Sequence, residues 1–265
     1  MGGTLGLADL AGEAVLLAGG GRAILMQIAH PAVGAGVAAH SGFARDPLAR
    51  LRGTLTFSYA EVYGTDADRR AVRRTVNRAH GPVRGPGYSA FDPELQLWVF
   101  ATLYDSTVTV WEQLFGPLDA ASAERLYADF GSTVGGLQMP TDLWPADRAA
   151  FAAYWADASA GLVVTDDTRR VAAQLLYPAS APRWMRALMP TARLATAGFL
   201  PAELRSAYGM PWSGIRSLRF DALLAATRAT YPRLPRRLRF WPRDVLLREL
   251  RATRSLPESG ASAAS

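Results

Sequence analysis

One segment constrains the architecture more than any other. Asp92-Pro93 is a strong helix start, a capping carboxylate followed by proline at the first helical position, and no breaker follows until Gly116. Trp98, Leu103, Tyr104, Trp111 and Phe115 fall within it, so it reads as a long apolar helix at the centre of the molecule. A helix of that kind requires other elements to cover it.

The rest of the chain supplies helices to do so. Residues 4–18 read as a short amphipathic helix stopped by Gly19-Gly20-Gly21, and residues 22–30 as a second, apolar helix that meets Pro31. Asp46-Pro47 opens a helix running to about Tyr63, and Thr65 caps an arginine-rich helix ending at His80-Gly81-Pro82. Further helices are expected at 119–135, 145–160, 166–176, 182–197, 201–207 and 216–230, with an amphipathic one at 244–250. Strand alternation is nowhere sustained. The expectation is an all-α, multi-helix single domain over residues 1–255, with 256–265 a disordered tail too poor in apolar surface to offset the entropy of ordering.

Composition removes several chemistries. Every one of the 29 basic residues is arginine, which excludes a lysine Schiff base, lysine base or lysine ligand. Cysteine is absent, so thiolate nucleophiles, disulfides, iron–sulfur clusters and cysteine-ligated haem or zinc are excluded too. A net charge of +6 raises nucleic-acid binding, but the first 230 residues hold no basic stripe with interleaved aromatics and no recognisable module, so none is expected. Met1 to Ala18 lacks the basic start of a secretory signal, and no run of 18 apolar residues suggests a transmembrane segment, which leaves the cytoplasm as default. The arginine-rich, tryptophan-bearing stretch from Arg233 to Arg254 suits peripheral contact with an anionic membrane. Its alternative is a solvated C-terminal helix that packs through Leu and Val. The residues leave the oligomeric state open.

Only three histidines exist: His30, His40 and His80. The first two are ten residues apart among small apolar residues, a spacing that fits no zinc motif, and read as hydrogen-bonded histidines inside a tight helix contact. His80 ends a helix just before Gly-Pro, where the main chain steps aside from the ring. On physical grounds it is either a surface histidine stabilised by the helix dipole or a ligand. Arg50 and Thr54 share a helix face at i, i+4, and Phe57 continues it at i+7. Arg50 or Arg52 either pairs with a surface carboxylate or meets an anionic group such as a propionate. The triple glycine lacks the preceding strand of a phosphate loop, and Asp105, Asp129, Asp166 and Asp167 read as surface or capping positions.

Taken in order, a larger set of residues resembles one family. They are His30-Pro31, Val37, His40-Ser41, Phe43, Asp46-Pro47, Arg50-Leu51, Thr54, His80, Val83, Gly85, Tyr88 and the run Asp92 to Val99. The family is the rubber oxygenases, also described as the MpaB-type oxygenase catalytic domain, which includes the latex-clearing proteins. The similarity spans roughly residues 10–180 and weakens beyond. It implies a helical fold with globin-like haem packing, a haem b whose iron is held by one axial histidine, and cleavage of carbon–carbon double bonds with O₂. The axial position falls on His80. The distal Arg and Thr fall on Arg50 and Thr54, with Phe57 continuing their face.

Two departures accompany the likeness. Gly53 stands where latex-clearing members carry a distal lysine, which leaves the sixth iron position open or filled by water. No carboxylate lies between Glu13 and Asp46, where rubber cleavage involves an acidic residue. The implied function is therefore a haem b-dependent oxygenase acting with O₂ on an unsaturated, largely apolar small molecule other than rubber. The alternative is a haem-binding or gas-sensing module without turnover. His30 and His40 are placed to line that pocket or to shape the helix contact around it.

Overall fold

The computed structural model describes residues 3–40, 47–137 and 139–255. Within them the chain begins with α1 (Leu7–Leu10), a 3-10 turn (Ala14–Gly19), α2 (Gly20–Ala29) and α3 (Pro31–Ala39). After the undescribed residues 41–46 come α4 (Pro47–Tyr63) and α5 (Asp66–His80), then a hairpin of β1 (Arg84–Gly85) and β2 (Tyr88–Ser89). The long helix α6 (Pro93–Phe115) precedes α7 (Ala120–Thr133), α8 (Arg148–Ala160) and α9 (Asp166–Leu176). The C-terminal part holds α10 (Arg183–Phe199), α11 (Ala202–Ala207), α12 (Gly214–Thr230), the single turn α13 (Arg236–Arg239) and α14 (Trp241–Ser255). The fold is thus all-α among the described residues, apart from one antiparallel pair in which Arg84 faces Ser89 and Gly85 faces Tyr88. That hairpin, two residues a side, is too short to show alternation in a sequence.

Helix α6 is central, as its apolar composition requires. The Asp92 side chain accepts from the Glu94 and Leu95 amides at its start, and Gly116 ends it with φ +89°. Leu97, Phe100, Ala101, Tyr104 and Trp111 pack against Leu126, Tyr127 and Phe130 of α7, with Trp144 and Phe151 beyond. Tyr104 meets Tyr127, Phe130, Trp144 and Phe151 edge-on, at centroid distances from 4.9 to 6.0 Å. Elsewhere on the same helix Trp98 joins Leu25, Met26, Ile28 and Val171, while Val110 and Leu114 join Phe199, Phe220 and Leu224.

The structure corrects three expectations, each for a packing reason. Gly20 and Gly21 do not stop a helix but begin α2, and Gly19 closes the turn before it. A Cβ at Gly19 would lie 2.9 Å from Val110, and one at Gly21 would collide with Thr196, so these glycines let α2 approach α6 and α10 closely. Residues 4–18 are not one helix, because Phe240 lies against Gly12 while buried Glu13 takes the Tyr231 hydroxyl at 2.8 Å and Arg239 at 2.9 Å. These contacts bend the chain between α1 and the 3-10 turn. Asp105 is largely buried in an ion pair with Arg22, not at the surface, and burial pushes its carboxyl up. Arg22 also donates to Ser106 Oγ at 2.8 Å and the Phe199 carbonyl at 3.0 Å, tying α2, α6 and α10 together.

Other expected boundaries hold within a few residues, and α9 matches its expected range. Asp46, the expected N-cap of α4, and the tail 256–265 lie outside the described residues. Among the described residues no helix is long and apolar enough to cross a membrane. Gly21→Ala is expected to lower stability by about 1–3 kcal/mol through overpacking against Thr196. Urea denaturation followed by far-ultraviolet circular dichroism measures this, and an unchanged midpoint would contradict the close approach.

Candidate functional site

The site grows from the hairpin of α4 and α5. Thr65 caps α5 reciprocally with Asp68: Asp68 N donates to Thr65 Oγ1 at 3.2 Å, and Thr65 N donates to Asp68 Oδ2 at 3.0 Å. Arg73 then grips buried Glu61 with two bonds of 2.8 and 2.6 Å, and Arg69 donates to the Glu61 carbonyl at 3.1 Å. These bonds set the antiparallel register of the two helices. Counting back along α4 and on along α5 by three turns brings Arg50 level with His80. The guanidinium of Arg50 is in fact near enough to act on the His80 charge.

The sequence beyond His80 holds the ring in place. Val83 N donates to the His80 carbonyl at 2.9 Å, and Ala90 N donates back to Val83 at 2.9 Å, so the hairpin between them folds over the helix end. Phe91 presents its ring to His80 at 6.3 Å and 68°. His80 is half-buried, and its Nδ1 is buried without a hydrogen-bond partner among the described residues. Burial, reinforced by the Arg50 charge, lowers the His80 pKa, so the neutral imidazole is favoured. Crowding likewise lowers the pKa of Arg50.

His40 abuts the segment that follows His80, and His30 stands against Trp98 in the first turns of α6. His30 stands at the joint of α2 and α3, tilted at 38° against Trp98 with centroids 6.1 Å apart. It is not fully hydrogen-bonded as its sequence context suggested, because its Nδ1 is buried and unpartnered. Burial lowers its pKa, and the nearby Asp92 carboxylate partly offsets that. His40 ends α3 and does fit the expected hydrogen-bonded histidine: its Nδ1 is 2.8 Å from the Gly36 carbonyl and its Nε2 2.9 Å from the Pro82 carbonyl. Its ring meets Tyr88 edge-on at 6.1 Å. Among the described residues these groups form no cluster of three or more His, Asp or Glu fit to hold a bare metal ion.

The remaining expected site residues lie on α4. Thr54 is exposed one turn from Arg50, and its carbonyl accepts from Ser58 Oγ at 3.0 Å. Among the described residues nothing lies within 4 Å of where a Gly53 Cβ would be, so that side of α4 is open to them. Phe57 is half-buried and packs with two apolar clusters. The structure thus puts Arg50 within electrostatic range of His80 and leaves Thr54 and Phe57 further along α4.

Sequence reasoning missed a cleft of about 620 Å³ lined by Ser89, Phe91, Asp92, Pro93, Glu94, Pro140 and Leu143. Phe91 is shared between this cleft and the His80 environment. It is a shallow depression, wide open to solvent. The only advance signal was an aromatic residue placed directly before the Asp-Pro cap.

The family described as ER-bound oxygenase mpaB/B'/Rubber oxygenase, catalytic domain, matches residues 9–229. The chain belongs to this oxygenase family. It is also 36% identical over 238 residues to an uncharacterized protein of Mycobacterium tuberculosis and to one of Mycobacterium bovis, covering 86% of this chain and 93% of each relative. No solved structure matches.

The two lowered histidines carry a pH dependence with a definite sign. As pH falls through about 6.5, the unfolded chain takes up protons at these rings while the folded ligand-free chain does not, so stability declines on acidification. NMR titration of the imidazole resonances should place His30 and His80 below the free-imidazole midpoint. Midpoints at or above it would contradict the burial described here.

Proposed function

We propose that this oxygenase-family chain binds haem b through His80 and acts with O₂ on an unsaturated, largely apolar small molecule. The observation that carries the reading is His80 itself: a half-buried imidazole at the end of α5 whose Nδ1 is buried and has no hydrogen-bond partner among the described residues. The donor set fits the group. An iron ligand must be unprotonated, and burial together with the Arg50 charge keeps the proton off. A guanidinium fork suits a propionate carboxylate, so Arg50 is the residue that would pair with one. In this reading the surrounding helices form a globin-like cradle.

When bound, haem iron supplies the O₂-binding and redox chemistry. The chain's part is positioning. His80 is held by the Val83 amide on its carbonyl and by Phe91 beside its ring, which limits its freedom at the end of α5. Arg50 and Thr54 supply the polar groups on α4, and the open space at Gly53 leaves room on that helix for a ligand. Phe91, Pro93, Pro140 and Leu143 give the neighbouring cleft an apolar part suited to an apolar substrate.

His80→Ala is expected to abolish stoichiometric haem binding while preserving the helical circular dichroism signal. The ultraviolet–visible spectrum and the pyridine haemochrome assay read the result, and a full Soret band in the variant would overturn the assignment. Incubating the ferrous protein with a panel of unsaturated isoprenoids under O₂ separates catalysis from the alternative. Oxygen incorporation into product supports the oxygenase, whereas a stable O₂ complex with no substrate loss identifies a gas-binding module.

A further inference from the structure

The segment from Arg233 to Trp241 presents an unusual surface. Leu234, Leu238 and Trp241 are 42%, 54% and 58% exposed, and Pro232, Arg233, Pro235, Arg236 and Arg237 around them are exposed as well. The exposure does not come from a loose segment. Tyr231 and Phe240 are buried on its inner side, Arg239 is ion-paired to buried Glu13 at 2.9 Å, and Phe240 is covered by Arg236 and Arg243 at 4.2 and 4.6 Å. The inner side chains pin the backbone, and the outer ones are left in water.

Within the segment itself the charge has one sign. No carboxylate occurs between Asp221 and Asp244. Arg236, Arg239 and Arg243 are engaged within the protein, but Arg233 and Arg237 make no ion pair, hydrogen bond or ring contact among the described residues. Two uncompensated guanidinium groups interleaved with Leu, Leu and Trp match a phospholipid surface. The cations meet headgroup phosphates, the indole settles at the interface, and the leucines enter the acyl boundary. A nucleic-acid backbone would satisfy the arginines but leave the two leucines in water.

The rest of the C-terminal helix does not share this character. Leu246 and Leu247 of α14 pack against Tyr59 and Ala60 of α4, Arg243 lies over the Tyr63 ring at 4.8 Å, and Arg52 pairs with Glu249. The two helices therefore run antiparallel, which puts Trp241 at the Tyr63 end of α4 and Arg50 at the other. We propose that Leu234, Leu238 and Trp241, with Arg233 and Arg237, dock this protein peripherally on an anionic phospholipid bilayer. The docking surface is separate from the His80 environment and does not depend on the haem reading.

The test is co-sedimentation of the full chain with phosphatidylcholine vesicles, with and without phosphatidylglycerol. Binding should require phosphatidylglycerol and weaken as salt rises. Arg233→Gln with Arg237→Gln should lower partitioning about thirtyfold, and Leu234→Ser, Leu238→Ser and Trp241→Ser together at least about tenfold, with far-ultraviolet circular dichroism unchanged. Because the chain has no cysteine, Leu238→Cys can carry a single environment-sensitive fluorophore, with exposed Leu218→Cys on α12 as control. A blue shift on anionic vesicles at position 238 but not at 218 supports the proposal even if the triple variant fails to fold. It is overturned by absence of vesicle binding, by equal binding to neutral vesicles, by equal shifts at both labels, or by RNA binding without vesicle binding.

Discussion

A carboxylate removed from water needs a counter-charge with matching geometry, and in this molecule buried Glu61 finds it in both nitrogens of Arg73 across the α4–α5 hairpin. Removing Arg73 would leave the Glu61 carboxylate buried without its counter-charge. The fork of bonds fixes register as well as proximity, since a shift of one residue along α5 would rotate Arg73 away by about 100°. Together with the Arg69 bond to the Glu61 carbonyl, it imposes the register that sets Arg50 level with His80. The site therefore depends on an ion pair several helical turns away from it.

The same device recurs wherever an acid is buried between elements. Asp68, fully enclosed, takes Arg251 at 3.1 Å and also Arg254, so α14 is clamped to the start of α5. Burial alone would push the Asp68 carboxyl up, but hydrogen bonds from Thr65 and Arg251 outweigh it and hold the carboxyl below its ordinary range. Glu13 with Arg239 and Asp105 with Arg22 complete the set. In each case the arginine comes from a different helix or turn than the acid. A planar guanidinium with five donors satisfies a buried carboxylate better than an ammonium, which gives the all-arginine composition a structural use.

Much of the fold was legible in the sequence, because helix limits are local. Asp92-Pro93, Thr65, Gly64 and Gly116 act within a turn or two of themselves, through capping bonds and a backbone that only glycine adopts freely. The misreadings arose where a distant residue decided the outcome. Gly20 and Gly21 look like breakers until Thr196 and the α2 contact are present, and Asp105 looks like a surface acid until Arg22 reaches it. The site was legible in part. His80 stood out by its place at the end of a helix before Gly-Pro, and Arg50 by its family resemblance, but no local signal announced that Phe91 would flank the ring or that a cleft would open before α6.

The sequence by itself determined that this chain is helical, where most helices begin and end, that no thiol or lysine chemistry is available to it, and that any histidine chemistry draws on three residues. Only the tertiary structure decided which of those residues meet. His40 and His80 are separated by forty positions, yet His40 reaches the Pro82 carbonyl just beyond His80, while His30 packs against Trp98 near the start of α6. The burial and neighbouring charge that keep His80 neutral are likewise properties of that assembly. Periodicity and capping are encoded over a few residues, whereas proximity, desolvation and register arise from contacts between elements far apart in the chain.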